Sequence, residues 1–528
     1  MKILLIVFSL IFSFWLMFYT FHYTDGSMYI ATKAWSDFAS HIPLIRSFSL
    51  GDNSGLEFPL FPGEAIRYHF LFYAIVGFLE RMGLRIDWAF NIPSALSFSF
   101  LLFMIFILGK TLFKKSMVGI VSVALFLFNG SLSFVYFFKQ HSFSDIFTNS
   151  VFPAFAPYDN TLISGGFWNL NVFTNQRHFA LPLALSLSIV FYLIKNEEKR
   201  KSLPIGLAII FGLIVGSFSF LHGAVFIMII AITFSLFILF PHQRKSIALI
   251  LVCAFLFSLP RILFLWGVDG GNAFKINPGY LTSNNFTFFN WIRYWILNLG
   301  LGFFLIPIGF TLAGKTAKKV FVAFSTLFVI GNVFQFSPDI ATNHKFFNLW
   351  IILANMFIAY VLYLLWQKTL RQKILTMILL FFLLLSGIIE FFPIANDYRI
   401  AVADYPKDQN VKWIIENTPK NAVFANSTYL YHPASLAGRK IFLGWPYFPW
   451  SLGYNTNERM QIQKAIFAAE SKENFCAIAK KQAVDYIAVT IPTDEGIPVN
   501  NAFFAGNVLS YKSQDGHLSI YEVKNLCP

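Results

Sequence analysis

Residues 68–80 read YHFLFYAIVGFLE, and this short apolar run decides how the rest of the chain is arranged. It belongs to a series of apolar runs, most of which approach the length of about 20 residues that a helix needs to cross a lipid bilayer. The longer runs lie near residues 3–22, 92–109, 116–138, 178–194, 204–219, 222–240, 247–265, 291–313, 320–336, 347–366 and 374–392. They predict about eleven transmembrane helices, and if residues 68–80 also cross the bilayer, every later loop changes sides.

Basic residues decide between the two topologies. Leaving residues 68–80 outside the bilayer puts five short basic loops on one side, which the positive-inside rule identifies as the cytoplasm. These loops contain Lys110, Lys114 and Lys115; Lys195, Lys199, Arg200 and Lys201; Arg244 and Lys245; Lys315, Lys318 and Lys319; and Lys368, Arg371 and Lys373. Counting 68–80 as a span reverses this bias, so we predict that it forms a helix at the outer surface. The outer face then carries residues 23–90, 139–177, 266–290, 337–346 and the region from about 397 onward.

The composition supports an integral membrane protein. Hydrophobic residues make up 56% of the chain and charged residues 12%, whereas soluble domains carry about 25% charged residues. The net charge of +14 does not indicate nucleic-acid binding, because the basic residues lie in short clusters between apolar runs. The first run follows Lys2, is too long for a signal peptide and ends in bulky residues, so we predict an uncleaved anchor.

The C-terminal region has a different pattern. Strand-like runs alternate with amphipathic stretches at 406–417 and 458–482, which is typical of an α/β domain. The strand-like runs are AVFANS, KIFLGW, YIAVTI and LSIYEV. We therefore predict a polytopic α-helical protein of the plasma membrane, with a membrane domain at 1–396 and an extracytoplasmic α/β domain at 397–528. In that compartment Cys476 and Cys527 can form a disulfide, although two free thiols fit the sequence equally well.

The first outer loop, residues 23–90, is the most informative part of the chain. Its segment 35–53 reads WSDFASHIPLIRSFSLGDN, and FPLFPGEAIRYHF follows at 58–70. Asp37 and His41 are spaced i, i+4, so on a helix they share one face. A carboxylate held there over the bundle can act as a general base or bind a metal together with a neighbour. The simpler interpretation is a solvated acid on a surface helix.

The order of motifs along residues 1–240 resembles the GT-C superfamily of lipid-linked sugar transferases. In that family a first transmembrane helix leads to an outer loop with an Asp-Glu motif. This motif is followed by a Gly-Asp pair, a Gly-Pro-Pro-rich stretch with a basic residue, a surface helix, and a span that begins with a Pro-Ser-Ala-Leu-like motif. The corresponding segments here are SDFASHIPLIRSFSLGDN, FPGEAIRYHFLFYAIVGFLE and NIPSALSFSFLLFMIFILGKTLF. The similarity is greatest to the branch of protein mannosyltransferases and lipid A aminoarabinose transferases, in which the segment matching 68–80 is a surface helix.

The resemblance implies roles for individual residues. It puts Asp37 at the catalytic acidic position, Arg67 where the family has a Lys near the lipid phosphate, and His222 where relatives have Leu-Thr-Lys-Gly-Pro. This chain departs from the family pattern, because Phe38 replaces the second acid, Tyr68-His69 replaces a Pro-Pro pair, and a histidine stands at 222 in place of the Lys. These departures affect the expected metal dependence and phosphate contacts.

Other polar residues face the predicted outer side. Arg177 and His178, at the mouth of a span, fit either a phosphate contact or an anchor at the membrane interface. His222 lies in an apolar stretch near that interface, where an ionisable group is either functional or a neutral, hydrogen-bonded side chain. The pair His344-Lys345 opens another span and fits either a lipid phosphate or an anchor. Asp159 is a candidate second acid or a plain loop carboxylate.

An aromatic cluster marks the C-terminal region. Residues 438–454, GRKIFLGWPYFPWSLGY, contain Trp445, Tyr447, Trp450 and Tyr454. Such aromatics suit stacking on a sugar, but docking at a membrane interface or packing in the domain core explains them more simply. The sequence has no Walker loop, HExxH, GxSxG or paired-cysteine metal motif.

Together these features predict an inverting glycosyltransferase that moves a sugar from a polyprenyl-phosphate carrier to a glycan, lipid or protein acceptor on the outer face. Its partners are the lipid-linked donor, membrane lipid and the acceptor; the sequence identifies no cofactor with certainty, and a divalent metal stays open. The predicted catalytic residues are Asp37 and His41, and the predicted substrate-binding residues are Arg67, His69, Asp159, Arg177, His178, His222, His344 and Lys345. The alternatives are a transporter or flippase of a lipid-linked precursor, which inverted repeats and broken helices would indicate, and a non-catalytic membrane scaffold.

Overall fold

The computed structural model describes residues 2–128, 130–150, 162–164, 170–267, 274–494 and 496–528. The chain divides into two compact units. Unit 1 consists of Met1–Met17, Ser94–Leu263 and Phe274–Tyr398, and unit 2 of Phe18–Pro93, Phe264–Ala273 and Arg399–Pro528.

The helices and strands of the described residues are numbered in chain order. The helices are α1 Lys2–Thr20, α2 Trp35–Ser49, α3 Leu71–Arg81, α4 Ile86–Phe113, α5 Ser116–Leu127, α6 Ser133–Gln140, α7 Asn171–Asn175, α8 Ala180–Glu198, α9 Ile205–Leu221, α10 Gly223–Leu239, α11 Arg244–Phe264, α12 Phe288–Leu299, α13 Gly302–Leu312, α14 Lys315–Val333, α15 His344–Trp366, α16 Leu370–Ala395, α17 Gln409–Asn417, α18 Pro433–Leu436, α19 Tyr447–Ser451, α20 Thr456–Ala468, α21 Lys472–Lys481, α22 Asn501–Ala505 and α23 Val523–Leu526. The strands are β1 Phe21–Thr24, β2 Ser27–Ala31, β3 Glu57–Phe58, β4 Phe61–Ala65, β5 Lys275–Ile276, β6 Phe334–Gln335, β7 Arg399–Ala403, β8 Val423–Asn426, β9 Lys440–Ile441, β10 Tyr486–Thr490, β11 Tyr511–Lys512 and β12 Leu518–Glu522.

Long apolar helices make this an integral membrane protein. Within the described residues, seven helical segments are long and apolar enough to cross a bilayer, or eight if the bent pair α12 and α13 counts as one span. The apolar helices α5, α9 and α10 are shorter. Two of the predicted runs are not single helices: 116–138 is interrupted between α5 and α6, and 291–313 bends by 86° between α12 and α13. Gly300 lies at this bend with φ +54°, a conformation that glycine adopts without steric cost.

Contacts inside unit 1 bring several predicted cytoplasmic loops together. Lys114 Nζ, after α4, pairs with Glu198 at 2.7 Å, at the end of α8. Gln243 Nε2, before α11, donates to the Lys201 carbonyl at 2.6 Å. Lys319 Nζ, in the first turns of α14, lies 6.0 Å from the ring centre of Phe240, after α10. Four of the five basic loops therefore lie at one end of unit 1, which is the arrangement that the positive-inside rule requires.

In unit 2, the first loop and the C-terminal region form one antiparallel sheet. Its strand order is β1-β2-β7, and β2 pairs with β7 from Ser27↔Ala403 to Ala31↔Arg399. Asp25 and Gly26 connect β1 to β2 with φ values of +49° and +71°, as a two-residue type I′ hairpin turn requires. Residues 18–93, which the prediction assigned to the membrane domain at 1–396, belong to unit 2, and within them β2 pairs with β7 of the C-terminal region.

The α/β character of the C-terminal region is confirmed. A five-stranded sheet has the order β11-β12-β10-β8-β9, in which β8 is parallel to β9 and β10 while β12 is antiparallel. Each of the four predicted strand-like runs contributes a strand. The predicted helical stretch 458–482 is two helices, α20 and α21. Cys476 and Cys527 form a disulfide with Cα atoms 5.5 Å apart, which decides between the two states that the sequence left open.

Helix α3 is the segment on which the topology depends. It has 11 residues, so it rises about 16 Å and is too short to cross a hydrocarbon core of about 30 Å. It packs against α2, where a Cβ added at Gly77 would lie 2.6 Å from the Ile45 carbonyl oxygen. Arg46 of α2 pairs with Glu80 of α3 at 3.1 Å and with Asp404, beyond β7, at 2.6 Å. These pairs fix α3 within unit 2.

Candidate functional site

Asp37 lies in the first turn of α2 and is half-buried. Buried Phe38, Ile42 and Ile45 hold this 15-residue helix against the rest of unit 2. A carboxylate in the first turn is stabilised by the positive end of the helix dipole. Burial raises the pKa of the Tyr68 and Tyr431 hydroxyls, and the negative charge of Asp37 raises both further. Asp37 therefore lies beside two phenols that stay protonated.

His41 shares the α2 segment with Asp37, but its ring belongs to the aromatic interior of unit 2. The side chain is 2% exposed, and its ring centre lies 4.7 Å from that of Tyr73. Its Nε2 is 3.5 Å from the Tyr68 hydroxyl oxygen, and Tyr68 also interacts electrostatically with Asp37. The predicted catalytic pair is thus connected through Tyr68.

Arg67 is engaged by neighbours within unit 2. Its guanidinium pairs with Glu64 at 2.6 Å, donates to the Gly453 carbonyl and lies 4.2 Å from the centre of the Tyr454 ring. The Arg67 backbone N–H donates to the Tyr454 hydroxyl at 2.9 Å. The ring of His69 packs against that of its neighbour Tyr68, with ring centres 3.8 Å apart and planes tilted by 31°. Arg67 consequently links the first loop to the segment after α19.

Arg177 in unit 1 is completely buried. Its Nε donates to the Thr174 carbonyl and one terminal nitrogen donates to the Met17 carbonyl, each at 3.1 Å. These bonds hold the turn between α7 and α8 against α1. Phosphate binding by Arg177 stays a prediction, and this structure assigns the guanidinium to backbone carbonyls.

Four predicted substrate-binding residues lie close together in unit 1. The buried rings of His178 and His222 are 5.1 Å apart and nearly parallel. Lys345 and His344 are near enough to His222 to act on it electrostatically. The His344 Nδ1 is 2.7 Å from the side-chain oxygen of Asn348. We call His178, His222, His344 and Lys345 the histidine–lysine cluster.

Chain breaks position this cluster. His222 is the single residue between α9 and α10, and its Nδ1 accepts the Val225 N–H at 3.4 Å, so it caps the start of α10. With Nδ1 accepting, a neutral His222 carries its proton on Nε2. His178 precedes α8, and His344 is the first residue of α15. Three helix starts therefore deliver four nitrogen-bearing side chains, which suits an anion.

The cluster fits an anion better than a metal cation. Ring nitrogens of His178 and His222 lie within 4.8 Å of each other, but the charge of Lys345 acts on the same place and repels a cation. Beside Asp37 the chain has Phe38 instead of a second carboxylate. We therefore derive no catalytic step through a metal.

The predicted site residues are distributed over the two compact units. Asp37, His41, Arg67 and His69 belong to unit 2, whereas Arg177 and the histidine–lysine cluster belong to unit 1. Asp159 lies outside the described residues. In the aromatic cluster, Trp445, Tyr447 and Trp450 are exposed while Tyr454 is buried.

Sequence reasoning missed Tyr431. Its hydroxyl donates to the Trp35 carbonyl at 2.5 Å, and the two rings lie 4.1 Å apart. Trp35 is the first residue of α2, two positions before Asp37. A contact between residues 396 positions apart leaves no local sequence pattern, so the sequence offered no signal for it.

No protein-family model and no curated protein sequence matches this chain. Solved structures do match, including the Archaeoglobus fulgidus oligosaccharyltransferase in its apo form, with a TM-score of 0.52 and 12% identity over 98% of this chain and 74% of that chain. The same enzyme tethered to an acceptor peptide containing the NVT sequon gives 0.51 and 12% over 93% and 69%. Its complex with an inhibitory peptide and a dolichol-phosphate gives 0.50 and 12% over 98% and 74%.

At this identity the similarity establishes the fold. The prediction of a polytopic α-helical membrane protein with a C-terminal α/β domain is confirmed, and its fold is similar to that of the oligosaccharyltransferase.

Proposed function

We propose that this protein is an inverting membrane glycosyltransferase that uses a polyprenyl-phosphate-linked sugar. The observation that carries the proposal is the similarity of nearly the whole chain to an oligosaccharyltransferase, one of whose solved structures contains dolichol-phosphate. Fold similarity alone is an argument by analogy, so the residues must also suit the chemistry.

The histidine–lysine cluster suits the donor phosphate. Transfer breaks the bond between the anomeric carbon and the phosphate oxygen, and the lipid phosphate leaves with the electron pair. Lys345 offers a positive charge to that leaving group, and imidazole N–H groups of His178 and His222 offer hydrogen bonds. Donors fixed at helix starts stabilise developing negative charge without first reorganising, which lowers the barrier to transfer.

Asp37 suits the role of general base. The acceptor hydroxyl or amine gives its proton to the Asp37 carboxylate while its lone pair forms the new bond to the anomeric carbon. One displacement of this kind inverts the anomeric configuration. The position of Asp37 in the first turn of α2 favours the ionised carboxylate that this step needs. His41 contributes by fixing the aromatic surroundings through Tyr68.

We assign the reaction to the outer face of the plasma membrane. The clustered basic loops of unit 1 support a cytoplasmic location for that end. The disulfide between Cys476 and Cys527 supports an oxidising compartment for the C-terminal region. Within the superfamily we favour the branch of protein mannosyltransferases and lipid A aminoarabinose transferases, with a protein, lipid or glycan acceptor.

One observation favours a second function, transport of a lipid-linked precursor. Broken membrane helices are common at transporter sites, and α12 and α13 meet at 86°. A transporter needs no general base, so the two functions differ in their dependence on Asp37.

The test is transfer by purified protein from a radiolabelled polyprenyl-phosphate sugar to membrane-extract acceptors. We expect Asp37→Asn to insert and unfold like the wild type but to transfer about 10²–10⁴-fold more slowly. The matched control is Asp52→Asn, because Asp52 is an exposed acid in the same loop whose side chain accepts the Ser54 N–H, two residues away, at 3.0 Å. Near wild-type transfer by Asp37→Asn would remove Asp37 as the base.

The phosphate assignment has a separate test. We expect Lys345→Gln to raise the KM for the donor about tenfold or more, since a charge-assisted hydrogen bond contributes about 1.5–3 kcal/mol. The acceptor KM should not change. An unchanged donor KM would mean that Lys345 only anchors α15.

A further inference from the structure

We propose that Tyr431 is a positioning residue that sets the orientation of Asp37 by holding the first turn of α2. The inference rests on the proposed function, because Asp37 acts as a general base only if the protein is a transferase. It assigns a catalytic contribution to the C-terminal region, which the resemblance did not reach by motif.

The contact between Tyr431 and Trp35 is direct and has two parts. The hydroxyl donates to the Trp35 carbonyl at 2.5 Å, and the two rings pack with centres 4.1 Å apart. Trp35 begins the helical turn that contains Asp37. The N-cap residue, Ala34, has no side-chain oxygen to bond that turn. The Tyr431 hydroxyl is therefore a side-chain group from the C-terminal region that bonds the first residue of this turn.

The backbone of Tyr431 is strained in the manner of functional positions. Its φ is +50°, in the left-handed region that a bulky residue rarely adopts. Such strain persists only where the surroundings hold the residue firmly, and it concentrates at functional sites. The next residue, His432, accepts the Ala434 N–H at 3.1 Å and caps α18, which packs on α2. The strained tyrosine is thus held next to the helix that it contacts.

The charge of Asp37 reaches Tyr431. Burial raises the pKa of the Tyr431 hydroxyl, and the nearby Asp37 carboxylate raises it further. The hydroxyl therefore stays protonated and keeps donating to the Trp35 carbonyl across the working pH range. Because this bond ends on the backbone, Tyr431 acts on Asp37 through α2. A shift of about 1 Å in a reacting group can cost about 10²-fold in rate, so a loosened turn has a large effect.

The experiment compares Tyr431→Phe with a matched control, Tyr23→Phe, in the full-length protein. The Tyr23 hydroxyl also bonds the first loop to the C-terminal region, because it donates to the Tyr405 carbonyl at 2.8 Å. Tyr23 lies on β1 and not on α2. Both variants lose one hydroxyl and keep the ring, so their losses of thermal stability should be similar. We expect Tyr431→Phe to lower kcat about 10- to 100-fold, to leave the donor KM unchanged, and to speed amide exchange in residues 35–40. Tyr23→Phe should leave kcat, the donor KM and amide exchange in this turn unchanged.

A double variant separates positioning from general damage. In an Asp37→Asn background, Tyr431→Phe should lower the residual rate no further, because a residue that acts through Asp37 has nothing left to position. A further tenfold loss in that background, or a kcat like that of Tyr23→Phe, would overturn the proposal. If the wild-type protein transfers no sugar, the proposed function fails, and amide exchange at residues 35–40 still decides whether Tyr431 holds the turn.

Discussion

Acidification should destabilise unit 2 through one buried histidine, His432. Its side chain is 1% exposed, its Nδ1 accepts the Ala434 N–H, and its Nε2 has no partner among the described residues. Burial lowers the pKa of His432 from 6.5 to about 3. In the unfolded chain His432 therefore binds a proton below pH 6.5, whereas in the folded chain it binds one only below about pH 3. Stability is fully present above pH 6.5 and is lost as the pH falls through this window.

The size of the effect follows from the same two values. Each pH unit within the window costs about 1.4 kcal/mol, so acidification to pH 5 costs about 2 kcal/mol from this residue. For a domain of this size that loss lowers the Tm by about 4–8 °C. Thermal unfolding in detergent, followed by tryptophan fluorescence at pH 7.5 and pH 5, measures it.

The decisive comparison uses His432→Asn. Asparagine keeps an acceptor for the Ala434 N–H, as N-cap positions favour, and removes the titrating group. We expect the variant to lose several degrees less in Tm than the wild type between the two pH values. If both proteins lose the same amount, His432 is not the group that senses acid, and the reasoning from its burial fails.

Two further predictions concern stability and topology. Arg46→Met should lower the free energy of unfolding of unit 2 by about 3–5 kcal/mol, because it leaves two buried carboxylates without their cation, and denaturant unfolding should detect the change. An unchanged midpoint would mean that these acids are protonated or solvated. In a Cys253→Ser background, a cysteine at Asn284 should react with an impermeant maleimide on intact cells, whereas a cysteine at Lys199 should react only after permeabilisation. The reverse pattern would invert the topology.

The sequence by itself determined the fold class, because the signals involved are local. Apolar runs of spanning length, basic loops and alternating strand patterns each depend on neighbouring residues, and the structure has helices and strands at those places. The prediction that 68–80 does not cross the bilayer also followed from loop charge, and α3 is too short to span. The interruption between α5 and α6 and the bend at Gly300 were not predicted, since continuous hydropathy does not reveal where a helix ends or bends.

Only the tertiary structure decided which polar residues meet. His178, His222, His344 and Lys345 come from three separate helix starts, so their proximity depends on helix packing and not on spacing along the chain. Arg177 looked like a phosphate ligand by residue type, but packing against α1 directs its guanidinium to backbone carbonyls.

The same distinction explains Asp37 and Tyr431. The order of motifs, through its resemblance to a known family, singled out Asp37, and the i, i+4 spacing added only that Asp37 and His41 share a helix face. Tyr431 contacts the same turn although it lies 396 residues after Trp35 in the chain. In the fold, the β2–β7 pairing also joins the first loop to the C-terminal region. Contacts of such long range are fixed by the packing of the whole unit, and one sequence read alone contains no local trace of them.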